Sequence, residues 1–166
     1  MDMISISVRK EVVQCSKCRE PKSFLYLSDY AYGERLVFSS EGLPCAFARH
    51  SDDTTYVEYE KLARQILWDK QLNISEEDTL KLIIETFGIT CDEINKCKVD
   101  FSQNQKKCSS CGSINFESKM IEPETFITIE LPLVSHNEWN NMDNKRKYDL
   151  AWCVIVKNFR FNDYKG

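Results

Sequence analysis

Glycine is scarce in this sequence, and its scarcity excludes several catalytic frameworks. The chain of 166 residues has only 5 glycines, too few for the glycine-rich loops that hold nucleotide phosphates. The sequence also lacks an H-E-x-x-H pair and a G-x-S-x-G turn, which mark two large classes of hydrolase. Adjacent acidic residues, as at 52–53 and 76–77, stand at helix starts, where capping accounts for them. We therefore expect that the protein is not an enzyme.

Long apolar stretches are also missing. The longest runs from Leu150 to Val156, whereas a helix that spans a bilayer needs about 20 apolar residues. The first residues alternate apolar and polar side chains, and they lack the basic start and the unbroken apolar centre of a signal peptide. We therefore expect a cytoplasmic protein with no membrane association.

Cysteine, in contrast, is plentiful. Four of the 8 cysteines form two C-x-x-C pairs, Cys15 with Cys18 and Cys108 with Cys111. Two intervening residues let both sulfurs of one turn face the same ion, and two such turns complete a tetrahedral site. Gly112 follows the second pair and can adopt the positive φ that folds the backbone toward the sulfurs. These spacings predict one structural Zn²⁺ bound by the four thiolates, with no position open to water.

Through these four cysteines and Gly112, the sequence resembles the zinc-ribbon and treble-clef group of proteins. The resemblance is confined to the residues around the two pairs, because the long segment between them departs from the compact ribbons. It implies a bound metal and no particular activity. A rubredoxin-like iron centre and a redox-active dithiol are the alternatives to zinc.

The other four cysteines show no metal-binding spacing. Two of them lie six residues apart, which on a helix places them about 240° apart, too far around the axis to bind one ion. We predict that all four are small buried thiols. Two alternatives are a second metal site that uses His50 or His136, and a catalytic pair of one thiol with either histidine. The four are Cys45, Cys91, Cys97 and Cys153.

Hydrophobic periodicity predicts strands near both ends of the chain and helices between them. Strands are predicted at 3–13, 24–27, 35–38, 114–121, 126–133 and 150–156, the last in the middle of the sheet. Three helices are predicted. The first begins at a capping box formed by Thr55 and Glu58, the second begins at a cap formed by Ser75 and Asp78, and the third covers 90–98. The fold class is therefore α+β: an antiparallel sheet from both chain ends, clipped by a Cys₄ zinc site, with an inserted helical lobe. We predict a single zinc-stapled domain over 1–166, in which 51–100 is an acidic helical insertion.

The predicted helices over 75–88 and 90–98 have the spacing of a helix-turn-helix. The second helix of that motif reads bases with its N-terminal end. Here that end carries Asp92 and Glu93, and carboxylates repel DNA phosphates. A packed helical hairpin is therefore the prediction, and DNA reading is the alternative.

The middle of the chain is strongly acidic. Residues 51–100 contain 12 Asp and Glu against 6 Lys and Arg, while the whole chain has a net charge of −4. Such a surface attracts basic partners and repels phosphates. We therefore predict a non-enzymatic zinc-binding domain for protein interaction, with the character of a small acidic inhibitor or immunity protein that blocks a basic toxin or nuclease. Its predicted partner-binding residues are Glu76, Glu77, Asp92 and Glu93.

A nucleic-acid-associated zinc-ribbon regulator is the alternative function. Basic residues cluster near both cysteine pairs and could face phosphates around the metal. They are Lys17, Arg19, Lys22, Lys106 and Lys107.

Overall fold

A computed structural model describes residues 2–28 and 32–162 of the chain. It confirms the predicted α+β class, with antiparallel sheets, strands from both sides of an inserted helical segment, and a cysteine cluster that joins distant parts of the chain. The chain divides into two compact units. The sequence predicts a helical insertion over 51–100 but not that residues 134–166 join it. The first unit consists of Met1–Ser51 and Gln103–Leu133, and the second of Asp52–Ser102 and Val134–Gly166. That the whole chain is a single domain stays a prediction.

A long strand is the centre of the first unit. Strand β1 (Met3–Cys15) pairs antiparallel with β2 (Pro21–Tyr26) along one edge and with β6 (Thr125–Pro132) along the other. The fourth strand of this sheet, β5 (Phe116–Met120), continues the β6 edge and reaches Cys15 at the end of β1. The alternation of apolar residues in β1 fits this arrangement, because Ile4, Ile6 and Val8 share one face of the sheet and are less exposed than the serines between them. The predicted strands in these four regions are confirmed.

A separate two-stranded sheet completes the first unit. Strands β3 (Glu34–Phe38) and β4 (Pro44–Arg49) form an antiparallel hairpin, and β4 makes an isolated bridge to Leu133. The turn between the strands contains Gly42 with φ +73°, a conformation in which glycine has no steric cost. The hairpin contributes Val37 and residues 46–48 to the core.

The second unit is helical. It contains α1 (Thr54–Asp69), α2 (Glu76–Thr86), a 3₁₀ helix (Phe87–Thr90), α3 (Asn137–Asn140) and α4 (Asn144–Asn162). Aromatic side chains fill its core: the ring centroid of Tyr59 lies 5.8 Å from those of both Phe87 and Trp139. None of the described helices combines the length and the apolar composition that a membrane span requires.

The helix starts agree with the sequence in one case and differ in the other. Ser75 caps α2 as predicted, since its Oγ accepts a hydrogen bond of 3.0 Å from the backbone N–H of Asp78. The cap of α1 is Asp53, whose carboxylate accepts from the backbone N–H of Thr55 at 2.8 Å. The prediction of Thr55 as the cap is wrong, because its side chain is buried inside the first turn.

Two predicted elements are absent from the described residues. Residues 91–98 form no helix: Asn95 and Lys96 have positive φ, and reciprocal backbone hydrogen bonds of 2.9 Å between Ile94 and Cys97 close a tight turn. The helix-turn-helix and the helical hairpin are therefore both wrong. The strand at 150–156 is also wrong, because this run lies inside α4, where burial recurs every four residues at 147, 151 and 155.

Candidate metal centre

The four predicted ligand sulfurs lie together. Cys15 ends β1, Cys18 is in the turn after it, and Cys108 and Cys111 are in the loop before β5. All four Sγ atoms are within 4.8 Å of one another, and this is the one group of at least three metal-binding side chains among the described residues. Cys15 and Cys108 are buried, and the other two are partly exposed. The group can hold a metal ion.

The two cysteine turns have the same backbone hydrogen bonds. In each, the carbonyl of the first cysteine accepts from the backbone N–H four residues later, from Arg19 at 3.0 Å and from Gly112 at 2.8 Å. Both residues have a positive φ, +67° for Arg19 and +71° for Gly112. The predicted role of Gly112 therefore matches the backbone, and Arg19 occupies the equivalent position without being a glycine. In each turn the first cysteine also donates its own N–H five residues on, to Glu20 in one and Ser113 in the other.

This symmetry leads to a prediction about the two positive-φ positions. A Cβ added to Gly112 would contact only Lys107 Cε at 3.9 Å. The alanine side chain in Gly112→Ala therefore fits without a clash, and the cost comes mainly from the strained positive φ. We expect this substitution to lower the free energy of unfolding by about 1–2 kcal/mol. Arg19→Gly removes about 1–2 kcal/mol of the same strain but adds about 0.5–1 kcal/mol of backbone entropy to the unfolded state, so it should stabilise the protein by roughly 0.5–1 kcal/mol. Urea unfolding in the presence of zinc measures the free energy of unfolding of both variants. Equal changes in the two variants would contradict the prediction that backbone strain distinguishes them.

The spacing of the sulfurs fits a tetrahedral ion. Four thiolates at about 2.3 Å from a tetrahedral zinc are about 3.8 Å apart. The Sγ atoms of Cys15 and Cys111 are 3.6 Å apart, and so are those of Cys18 and Cys108. A ligand set made only of thiolates suits zinc or iron and disfavours magnesium or calcium.

The ionisation of the thiols also favours a cation. A hydrogen bond from the backbone N–H of Cys18 lowers the pKa of Cys15 to about 6, and one from the backbone N–H of Cys111 lowers the pKa of Cys108. For Cys18, the backbone N–H of Glu20 lowers the pKa, but burial and the neighbouring sulfurs outweigh it and raise the pKa to about 12. The backbone thus supports thiolates that repel one another, a conflict that a bound cation relieves.

The remaining cysteines differ from their prediction. Cys97 and Cys153 are exposed, and Cys45 and Cys91 are only partly buried, so the prediction of four buried thiols is wrong. For Cys91, Cys97 and Cys153 it fails because the predicted helix over 90–98 and the predicted strand over 150–156 do not exist. Cys45 lies in β4 and is only partly covered there. His50 and His136 are buried, and among the described residues neither belongs to a second group of three or more metal-binding side chains.

The predicted partner-binding acids are used in different ways. Glu76 makes an ion pair of 2.6 Å with Arg64, whereas Glu77 and Glu93 are exposed at opposite ends of the α2 region. Asp92 caps α3: its carboxylate accepts from the backbone N–H groups of Asn137 and Glu138, both at 2.9 Å. Of the four predicted acids, Glu77 and Glu93 are therefore the exposed ones whose carboxylates are not used to pair Arg64 or to cap α3.

A buried ion pair escaped the sequence analysis. His136 Nε2 lies 2.8 Å from the carboxylate of Asp53, and its Nδ1 lies 2.9 Å from the carbonyl of Thr90. Burial lowers the pKa of His136, but the hydrogen bond to Asp53 and the other nearby acceptors outweigh it and raise the pKa to about 10. The raised pKa favours the imidazolium form, in which both ring nitrogens can donate to these acceptors. The sequence predicts Asp53 only as an acid at a helix start. No local pattern links it to His136, because 83 residues separate the two.

The basic residues around the cysteine turns form a smaller cluster than predicted. Lys17, Lys106 and Lys107 are exposed. Arg19 is also exposed but makes an ion pair of 3.1 Å with Glu117. Lys22 does not belong to this cluster, because its side chain is buried and its Nζ lies 3.5 Å from the carbonyl of Gly42.

Comparison of the chain with family models, with curated proteins and with solved structures gives no match. The likeness to zinc ribbons therefore consists of Gly112 and of four cysteines that lie close together. The chemistry of these and the other described residues is the basis for a function.

Proposed function

We propose that this protein is a zinc-stapled domain that binds a basic protein partner and is not an enzyme. The observation that carries the metal assignment is the cluster of four sulfurs within 4.8 Å. Zinc suits it because a tetrahedral set of four thiolates is the usual structural zinc site. A closed shell leaves no position for water or substrate, which supports a structural role. The ion would tie the end of β1 to the loop before β5, so that metal-binding energy contributes to folding.

Elemental analysis of the purified chain tests the metal assignment. We expect one zinc per chain, with less than a tenth as much iron. One iron per chain would replace the assignment by an iron centre. A metal-free chain whose cysteines form a disulfide would favour the dithiol.

The distribution of charge supports a basic partner. The first unit has 10 acidic and 10 basic residues, and the second has 16 acidic and 12 basic residues. The net charge of −4 therefore belongs entirely to the second unit. A surface of this sign attracts basic proteins and speeds their association. An inhibitor of the immunity type, which covers a basic toxin or nuclease surface, is the specific role that we propose.

Charge reversal of two exposed acids tests the interaction. We expect Glu77→Lys with Glu93→Lys to reduce the basic protein captured from a cell extract by at least about tenfold at low salt, because electrostatic steering is lost. Glu76 and Asp92 are kept, since their internal contacts would confuse the result. Glu41→Lys with Glu122→Lys makes the same charge change on exposed residues of the first unit and serves as the control. Equal loss in both variants would show that total charge, and not the charge at these two positions, governs capture.

A nucleic-acid role is the second candidate. The exposed lysines beside the cysteine cluster, Lys17, Lys106 and Lys107, favour it. The neutral first unit and the acidic second unit weigh against it, because both limit attraction to phosphates. Salt-dependent retention on heparin, abolished by replacing these three lysines with alanine, would support this candidate over a protein partner.

A further inference from the structure

The outer face of α1 carries an unusually exposed tryptophan. Trp68 is 84% exposed. It continues a line of exposed residues at 57, 61 and 65, opposite the buried face formed by Tyr59, Ala63 and Ile66. A tryptophan left in water forgoes a large apolar contact area, and tryptophan is among the residues that dominate binding energy at protein interfaces. Trp68 is therefore available as an anchor for a partner.

A groove lies beside this tryptophan. It has a volume of about 530 Å³ and lies between the C-terminal half of α1 and the segment that leads into α2. Leu67, Leu72 and Ile74 give it apolar walls, and Arg64 and Thr79 are among its polar lining. The turn after α1 holds these walls in place, because the backbone N–H of Leu72 donates to the carbonyl of Leu67 at 2.9 Å. The groove can therefore receive an apolar side chain next to the exposed indole.

The charges around the groove select the sign of its ligand. The one arginine in its lining, Arg64, is neutralised by ion pairs with Glu60 at 3.0 Å and Glu76 at 2.6 Å. Arg64 and its two partners together carry one net negative charge. Glu77 and Asp78 lie exposed in the first turn of α2, and the exposed bases on this side are Lys61 in α1 and Lys70 just after it. A Lys or Arg brought to this rim meets carboxylates, and the face of the indole attracts the same cations.

We propose that the groove beside Trp68 binds a basic amphipathic segment of the partner protein. An apolar side chain of that segment enters between Leu72 and Ile74, and a neighbouring Lys or Arg stacks on Trp68 and faces the acidic rim that includes Glu77. This inference rests on the proposed function and names its binding surface. It also places the surface at the start of α2, away from Asp92 and Glu93.

Selection from a phage-displayed library of random peptides tests the proposal without a known partner. Peptides of about 16 residues are long enough for four helical turns. We expect the zinc-loaded full chain to enrich peptides that carry Lys or Arg next to Leu, Ile, Phe or Trp. Trp68→Ser should weaken their binding by at least about tenfold, as for an interface hot spot. Phe126→Ser is the matched control, because Phe126 is a 69% exposed aromatic residue of the first unit, and it should leave binding unchanged.

Three results would overturn the proposal. Enriched basic peptides that bind the wild type and Trp68→Ser equally would leave a basic partner in place but assign it another surface. Enrichment of acidic or uncharged peptides, or no enrichment, would remove the basic partner as well. Concentration-dependent self-association that Trp68→Ser abolishes would make a second copy of the chain the occupant. Circular dichroism of both variants should match that of the wild type, since both aromatic side chains are exposed.

Discussion

Replacing Cys15 or Cys108 with serine is expected to abolish zinc binding and to unfold the first unit. Both sulfurs are buried in the cluster, and Cys15 ends the strand with which β2, β5 and β6 all pair. A structural zinc contributes about 10–16 kcal/mol of binding free energy, whereas a whole domain is stable by only about 5–15 kcal/mol. Loss of the ion should therefore leave the sheet without net stability.

The measurement combines zinc content with two optical signals. We expect no bound zinc in either variant and loss of the β-sheet signal in circular dichroism, and a strong zinc chelator should produce the same state from the wild type. Cys97→Ser and Cys153→Ser, which change exposed thiols, should retain one zinc per chain and melt like the wild type. Zinc retained by Cys15→Ser and Cys108→Ser would mean that the two cysteine turns are not one site.

Tryptophan fluorescence extends this experiment to the second unit. All three tryptophans, Trp68, Trp139 and Trp152, belong to the second unit. Their emission therefore reports on that unit while the metal is removed from the first. A fluorescence change that coincides with the loss of β-sheet signal is the result expected for a single cooperative domain over 1–166. Unchanged fluorescence would instead show two independently stable units.

Breaking the buried pair of Asp53 and His136 is expected to have the second largest effect. Their side chains are only 14% and 8% exposed, and removing one partner of a buried ion pair costs about 3–5 kcal/mol. Asp53→Ser is the informative variant, because serine is also a good N-cap and the change therefore removes the charge while keeping the cap of α1. Ser75→Ala, which removes only the cap of α2, should cost about 1 kcal/mol. If Asp53→Ser lowers the free energy of unfolding no more than Ser75→Ala does, the ion pair does not stabilise the protein as proposed.

The same pair gives the stability of the protein a defined pH dependence. The pKa of His136 is raised from 6.5 to about 10, so its contribution is fully present below pH 6.5 and is lost as the pH rises through 10. Burial raises the pKa of Asp53, but the hydrogen bond and charge of His136 outweigh it and lower the pKa below 3.8. That contribution is present above pH 3.8 and disappears as the pH falls through the lowered value.

Chemical denaturation at several pH values checks this dependence. The difference in unfolding free energy between the wild type and Asp53→Ser should be largest between about pH 4 and pH 6.5. It should shrink toward pH 10, where the histidine loses its proton. A difference that stays constant across this range would assign the loss to packing and not to charge.

The features that the sequence predicted correctly depend on the spacing of residues that are close together in the chain. The C-x-x-C pairs identified the four sulfurs because two intervening residues fix their geometry whatever the rest of the chain does. Strand β1 was evident because its apolar residues alternate, and Ser75 was evident because a capping serine acts within one turn. Each of these signals involves residues that are close in sequence and therefore act before tertiary packing.

The failures involve contacts between distant residues. The run at 150–156 is too short and too apolar for periodicity to separate a strand from a buried helix, and its helical state follows from packing in the second unit. Asp92 looked like the first turn of a helix, but it caps α3, more than 40 residues later. Asp53 and His136 have no shared pattern in the sequence. Only the folded backbone brings such pairs together.

The division of the chain into interleaved segments has a consequence for synthesis on the ribosome. Each unit is assembled from two segments, and the polypeptide passes from one unit to the other at 51–52, 102–103 and 133–134. At a translation rate of about 5–20 residues per second, the second cysteine pair emerges roughly 5–20 s after the first. During that interval Cys15 and Cys18 are half of a site, open to exchange with cellular thiols and metals. Neither unit is one continuous segment, so a premature stop codon between 52 and 133 would leave the cell with no complete unit at all.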